Sequence, residues 1–285
     1  MNQMPEEKQL KQKITDALQK KISQITALSG GCTAHAWLVE TDKHKRYFIK
    51  SGATTFHEET RGLKAIADTH CIQTPNVIRT SSDLLILEYI EPGLPSKKVF
   101  YNFGKQLANM HKIPQAFFGF DENNYIGHTK QINTPSSNWI EFFYEHRLLF
   151  QLKEAERNKI STKELRQGII KLESKLPKIL AGSEESPALI HGDLWKGNFI
   201  IDQNEQAYLI DPAAYYGHRE AEMALTTWIP GFSPEFYQGY NATYPLKPGY
   251  KQREKVYQLY HVINHMNLFY GNYYPEALDI LDGLT

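Results

Sequence analysis

Hydrophobic positions in the first third of the chain follow two periods. Over residues 5–28, Leu10, Ile14, Leu18, Ile22 and Ile25 recur every three or four residues, which predicts an amphipathic helix. Lys8, Lys11, Lys13, Lys20 and Lys21 lie among them. A basic helix of this kind rests on a membrane or on its own domain, and the lack of a Trp or Phe anchor favours the domain. Ser29-Gly30-Gly31 signals a turn. Ala36-Trp37-Leu38-Val39 and Tyr47-Phe48-Ile49-Lys50 then predict two strands joined across the polar run Glu40 to Lys45. Phe56 to Asp68 predicts a helix with Phe56, Glu59, Leu63 and Ile66 along one face. Leu84 to Ile90 predicts a strand, broken by Glu91-Pro92-Gly93.

From about residue 97 the pattern turns helical. Val99 to His111, Ser137 to Arg157, Thr162 to Leu180 and Tyr250 to Tyr270 predict helices. A short β element, Phe199-Ile200-Ile201 and Tyr208-Leu209-Ile210, turns through Asp202 to Gln206. The expected architecture is α+β: a small strand-rich lobe over 1–90 and a larger, mainly helical lobe over 91–285.

Composition narrows the class without naming a function. The chain has 285 residues, room for one large domain or two lobes at about 150 residues per domain. Lys+Arg and Asp+Glu are both 32, and this balance argues against a nucleic-acid binder held by its overall field. With 17 Tyr and 14 Phe the chain is too aromatic for disorder. Two cysteines, Cys32 and Cys71, exclude a disulfide framework and suit a reducing compartment. No run approaches about 18 apolar residues, and Met1 to Lys13 lacks the apolar core of a secretory signal. The expectation is a soluble, cytoplasmic protein that spans no membrane.

Chemistry concentrates in Leu189-Ile190-His191-Gly192-Asp193-Leu194-Trp195-Lys196-Gly197-Asn198, followed by the hairpin and Ile210-Asp211-Pro212. Phosphoryl transfer needs a base for a hydroxyl nucleophile and hard oxygen ligands that hold magnesium on a triphosphate. Asp193 suits the base. Asn198, five residues on, and Asp211, returned by the hairpin, suit the metal. Upstream, Lys50 ends a strand and Glu59 lies on the next helix; paired, they would order the α- and β-phosphates. Glu58 competes for that pair, but adjacent helical residues do not share a face, and Glu59 lies on the inward stripe. Gly30 and Gly31 could bring backbone N–H groups to phosphate. Cys32, next to them, is a small residue or an oxidisable thiol. Glu88, Tyr89 and Ile90 form the lobe-joining segment, where the Glu88 carbonyl and the Ile90 N–H could read adenine. No His/Cys spacing resembles a zinc site. His261 and His265, one helical turn apart, read as core or surface histidines. No Gly-x-Ser-x-Gly elbow supports a serine hydrolase.

With these residues in view, the sequence resembles the fructosamine (ketosamine) kinases, relatives of aminoglycoside and choline kinases. The likeness runs from about residue 28 almost to the C-terminus. It rests on His191 to Asn198, on Ile210-Asp211-Pro212-Ala213 and on Tyr215-Tyr216-Gly217-His218-Arg219-Glu220. Phe56-His57-Glu58-Glu59 with Gly62-Leu63, Asn124-Tyr125-Ile126-Gly127, Tyr257 to His261 and Asn264 to Phe269 also match. The resemblance implies a protein-kinase-like two-lobe fold. It also implies ATP- and magnesium-dependent phosphorylation of a sugar hydroxyl on a ketosamine, free or protein-bound. Such phosphorylated adducts eliminate and free the amine, which would make the activity deglycating. Carried over by motif, Asp193 is the base, Asn198 and Asp211 hold magnesium, Lys50 and Glu59 order the phosphates, and Glu88 to Ile90 form the adenine hinge.

Four positions stay open at this level. Trp195 offers an aromatic face to the sugar adduct or packs against the helical lobe. His218, Arg219 and Glu220 line the acceptor pocket, or Arg219 and Glu220 form a structural ion pair. Two departures stand out: Glu222 where the family often has Asp, and a turn from Gly30 to His35 without the usual Asn. An aminoglycoside- or choline-type kinase is the alternative enzyme. The run Tyr215 to Glu220 is not markedly acidic, which disfavours a polycationic acceptor. A nucleotide-binding pseudokinase is disfavoured because Lys50, Asp193, Asn198 and Asp211 are all present. A monomer is the expected state.

Overall fold

The computed structural model of the chain describes residues 3–28, 34–270 and 273–285, with side chains from Lys8 onward. The predicted phosphate turn, Gly30 and Gly31 with Cys32, lies outside the described residues. Helix α1 (Gln3–Leu18) opens the chain, followed by β1 (Ile22–Leu28), β2 (His35–Thr41), β3 (Arg46–Ser51), α2 (Phe56–Asp68), β4 (Val77–Thr80) and β5 (Leu84–Glu88). The strands form one antiparallel sheet in the order β1-β2-β3-β5-β4.

The helix expected over residues 5–28 is therefore wrong in its second half. Gln19 takes a left-handed φ of 52° and ends α1. Ile22, Ile25 and Leu28 belong to a strand whose register shifts between Ile22 and Gln24. That bulge places its less exposed side chains at every third residue, a spacing that mimics a helix. The α1 stripe lies on the sheet, not on a membrane: Ile14 and Leu18 pack with Val39, Ile49 and Ile86.

Strand alternation sorts the sheet's two faces. On β5, Leu84 and Ile86 face α1, whereas Leu85 and Leu87 join Phe56 and Leu63 of α2. On β3, Tyr47 and Ile49 share the α1 face. Phe48 and Lys50 therefore point to the α2 side.

The rest is mainly helical. α3 (Lys97–His111) precedes a two-stranded unit, β6 (Asn124–Ile126) and β7 (Thr129–Gln131). The predicted helix over 137–157 is three joined pieces: α4 (Trp139–Phe143), a π-helical turn (Tyr144–Leu149) and α5 (Phe150–Arg157). α6 (Lys163–Glu173) and α7 (Leu176–Ile179) follow, then β8 (Ala188–Ile190), β9 (Phe199–Ile201), β10 (Ala207–Leu209) and β11 (Tyr215–Gly217). β9 pairs with β10 and β11 with β8. α8 (Arg219–Trp228), α9 (Pro234–Thr243), α10 (Tyr250–Phe269) and α11 (Tyr274–Leu284) close the chain. Among the described residues no helix is long and apolar enough to cross a membrane.

Because Ile14 is fully buried between α1 and the sheet, Ile14→Ala should cost about 2–5 kcal/mol. A lowered urea midpoint at unchanged slope would show this; an unchanged midpoint would mean that α1 does not hold the sheet.

Candidate active site

The catalytic-loop candidate runs from the end of β8 to the start of β9. Gly192 allows it to turn: its φ is 82°, and a Cβ there would lie 2.2 Å from the Ala213 carbonyl oxygen. His191 Nε2 donates to the Ile210 carbonyl at 2.8 Å, and its Nδ1 accepts the Asp193 N–H at 3.3 Å, which fixes the tautomer. Asn198 Nδ2 donates to the Asp193 carbonyl at 2.8 Å and to Asp193 Oδ2 at 2.9 Å. The Ile210 N–H bonds the Asn198 carbonyl at 3.0 Å. The turn at the hairpin tip is held by Asp202 Oδ1, which accepts the N–H of Asn204 at 2.9 Å and of Gln206 at 2.7 Å. The hairpin thus returns Asp211 beside Asn198, as the spacing implies.

Asp211 has a left-handed φ of 55°, and its Oδ1 lies 2.7 Å from Lys50 Nζ. The same ammonium donates to both Glu59 oxygens, at 2.8 and 2.9 Å. Lys50 is deeply buried, which opposes its charge, but Asp211 and Glu59 outweigh burial and hold it protonated. Burial pushes Glu59 up to about 7 against the pull of Lys50, with Asp211 adding to the rise. Asp193 is pushed up to about 8 by burial first; the Asn198 hydrogen bond opposes this, and the Asp211 and Glu222 carboxylates add to it.

Lys50, Glu59, Asp193, Asn198 and Asp211 all line one cavity of about 450 Å³. Trp195 lines it too, and its ring lies against Gly197, where a Cβ would come within 2.4 Å of it. A second, mostly apolar cavity of about 290 Å³ shares Leu28, Phe48, Ile210 and Asp211 with the first. Glu88, Tyr89 and Ile90 line this slot. Glu88 Oε2 accepts from Asn76 Nδ2 at 2.6 Å, and Arg46 stacks on the Tyr89 ring at 4.7 Å.

His218, Arg219 and Glu220 line neither cavity, which corrects the expectation of an acceptor wall. All three are buried at the start of α8. His218 Nε2 donates to the Ser183 carbonyl at 2.7 Å, and its ring stacks on Tyr257. Arg219 pairs with Glu185, and Glu220 with Arg253, so the expected pairing of Arg219 with Glu220 is also replaced. Paired buried charges of this kind brace α8. The charged residues of that run therefore lie outside both cavities. His261 is a core histidine, with burial driving its pKa down to about 3.

Sequence reasoning misses the residues that hold the loop in place. Glu222 accepts the His191 N–H and, at 3.2 Å, the Gly192 N–H. Its one signal in the sequence is the departure from Asp. A fully buried Arg147, on the π-helical turn, lies 4.0 Å over the Tyr215 ring and donates to Asn133 Oδ1 at 2.8 Å. Asn133 donates to Asn124 Oδ1 at 2.8 Å, and Asn124 donates to the Ala214 carbonyl at 2.7 Å. This relay ties the β6–β7 unit to the segment after Asp211. Asn124 and Tyr125 belong to one of the family-like runs, and both line the cavity.

The fructosamine kinase family model matches residues 6–285. The chain belongs to the fructosamine kinase family. It is 37% identical over 280 residues to the chloroplastic protein-ribulosamine 3-kinase of Oryza sativa subsp. japonica, covering 94% of this chain and 81% of the relative. A Thermobifida fusca crystal structure described as a candidate fructosamine-3-kinase superposes with a TM-score of 0.88 at 29% identity, over 96% of this chain and 98% of that one. The choline kinase LicA of Streptococcus pneumoniae superposes with a TM-score of 0.67 at 18% identity, over 98% of each chain, and shows the shared kinase-like fold.

The raised Asp193 pKa has a stability consequence. Between the ordinary carboxyl value of 3.8 and about 8, the folded protein holds a proton there that the unfolded chain lacks. Its contribution to stability is full below the lower value and lost as pH rises to the upper one. Asp193→Asn should therefore gain stability over the wild type progressively across that window, read from urea midpoints; a pH-independent difference would contradict the shift.

Proposed function

We propose that this protein uses ATP to phosphorylate a sugar hydroxyl of a ketosamine, leading to release of the amine. The observation that carries this reading is the convergence of Lys50, Asp193, Asn198 and Asp211 on one cavity beside an apolar slot. Residues 1–90 act as the nucleotide-holding lobe, and residues 91–285 supply the base, the metal ligands and the acceptor wall. The slot at Glu88, Tyr89 and Ile90 takes adenine, and Lys50, ordered by Glu59, takes the phosphates. Gly30 and Gly31 remain expected phosphate contacts.

Asp193 accepts the proton of the attacking hydroxyl. Asn198 holds Asp193 Oδ2 and the loop backbone, so the carboxylate is oriented before the acceptor arrives. The donor set suits magnesium. Asn198 commits its N–H arm to Asp193, which turns Oδ1 to the opposite side, and the Asp211 carboxylate opens on the same cavity. These are hard oxygens, and magnesium held by them would neutralise charge on the phosphates. Trp195 gives the sugar adduct an aromatic wall. By likeness to the rice relative, the hydroxyl is at position 3 and the acceptor is a ribulosamine, free or on protein. The enzyme works as a cytoplasmic monomer.

Purified protein should consume ATP only with a ketosamine acceptor, and chelating magnesium should stop it. ATP binding without turnover on ribulosamine, fructosamine and erythrulosamine would remove the substrate reading. Asp193→Ala should lower kcat by about 10²–10⁴-fold while ATP binding persists. Because the base works deprotonated, kcat/KM for the acceptor should fall with acid below about pH 8, one decade per unit. A flat profile would remove Asp193 from that role.

A further inference from the structure

Glu58 has a place in the cavity but no role in phosphate handling. Thr55, Glu58 and Glu59 line the cavity from the first turn of α2 and the residue before it. Glu59 turns to Lys50. Glu58 does not, and its Oε2 is buried with no hydrogen-bond partner among the described residues. An unpaired buried carboxylate oxygen is costly, and no described residue offsets this one.

The surrounding charge points to a cation. Among the described residues that line the cavity, Lys50 carries the one ammonium, against the carboxyl groups of Glu58, Glu59, Asp193 and Asp211, of which burial holds Asp193 protonated up to about pH 8. Lys50 is already shared between Glu59 and Asp211. Magnesium at Asn198 and Asp211 leaves Glu58 unmatched. Tyr125, on β6, lines the same cavity and brings an aromatic ring to it, which also favours a cation.

We infer that Glu58, with the Tyr125 ring, receives the protonated amine of the ketosamine. The inference rests on the ketosamine reading above. A ketosamine differs from a plain ketose in one respect that such a site can detect: its secondary amine is cationic at neutral pH. The amine sits on carbon 1, two carbons from the hydroxyl at position 3. One cavity can therefore hold the hydroxyl at Asp193 and the ammonium at Glu58. Recognition of that charge makes the site select the adduct over the free sugar, and it leaves the group beyond the nitrogen unread.

The test compares two acceptors: a ribulosamine on a simple alkylamine, and the matching ether with oxygen in place of the nitrogen. The readout is the ratio of kcat/KM for the amine to that for the ether. Glu58→Gln, which keeps the shape and removes the charge, should lower this ratio by about 10- to 100-fold. Tyr125→Leu should lower the ratio as well, and Tyr125→Phe should keep it. A ratio within twofold of wild type in Glu58→Gln overturns the inference while leaving the kinase reading intact. A raised magnesium requirement in place of the ratio change would make Glu58 a metal ligand and also overturn it. If wild type turns over neither acceptor, calorimetry with the amine acceptor decides: binding weakened by Glu58→Gln supports the cation site alone, and no binding ends both readings.

Discussion

One buried ammonium joins three parts of this molecule. Lys50 comes from the sheet, Glu59 from α2, and Asp211 from the loop after the β9–β10 hairpin. A charge that deep is tolerable because both carboxylates meet it. Removing one partner of a buried pair typically costs about 3–5 kcal/mol. The contact therefore specifies how sheet, helix and loop meet. Strand alternation puts Lys50 on the α2 side, and helical spacing puts Glu59 opposite it.

The helical part supports a loop of few residues. Glu222 holds two successive backbone N–H groups, His191 braces the Asp211 side, and Gly192 admits the close approach of Ala213. Behind them, the Arg147 relay carries its bonds through Asn133 and Asn124 to Ala214. The guanidinium is held by carbonyl oxygens, an amide and the Tyr215 face. His218, Arg219, Glu220 and their partners are scaffold of the same kind, brought to one end of α8 by long-range pairing.

Much of the site is legible in the amino-acid sequence. Asp193 and Asn198 fall within one short loop, so their proximity is local geometry. Asp211 follows from a hairpin, the Asp202 turn is readable from side-chain chemistry, and Glu59 separates from Glu58 by helical phase. The failures have equally local causes. The bulged β1 carries a period of three, which a periodicity argument takes for a helix. Strands of three residues, such as β6, β8 and β11, carry too few positions for any period to show. Tyr215 to Glu220 is dense in polar and aromatic groups, a composition that fits an acceptor pocket and a buried network equally well.

The sequence by itself determined the chemical groups of the site, because Asp193, Asn198 and Asp211 are set by residue type and by short spacings that backbone geometry converts directly into proximity, and Lys50 by its place at a strand end. Only the tertiary structure decided which polar residues face the cleft. It moved His218, Arg219 and Glu220 into the scaffold and brought Tyr125 and Glu58 to the cavity. It also revealed Glu222 and Arg147 as the supports of the loop. Those assignments depend on contacts between residues far apart along the chain, and no spacing within a single element encodes them.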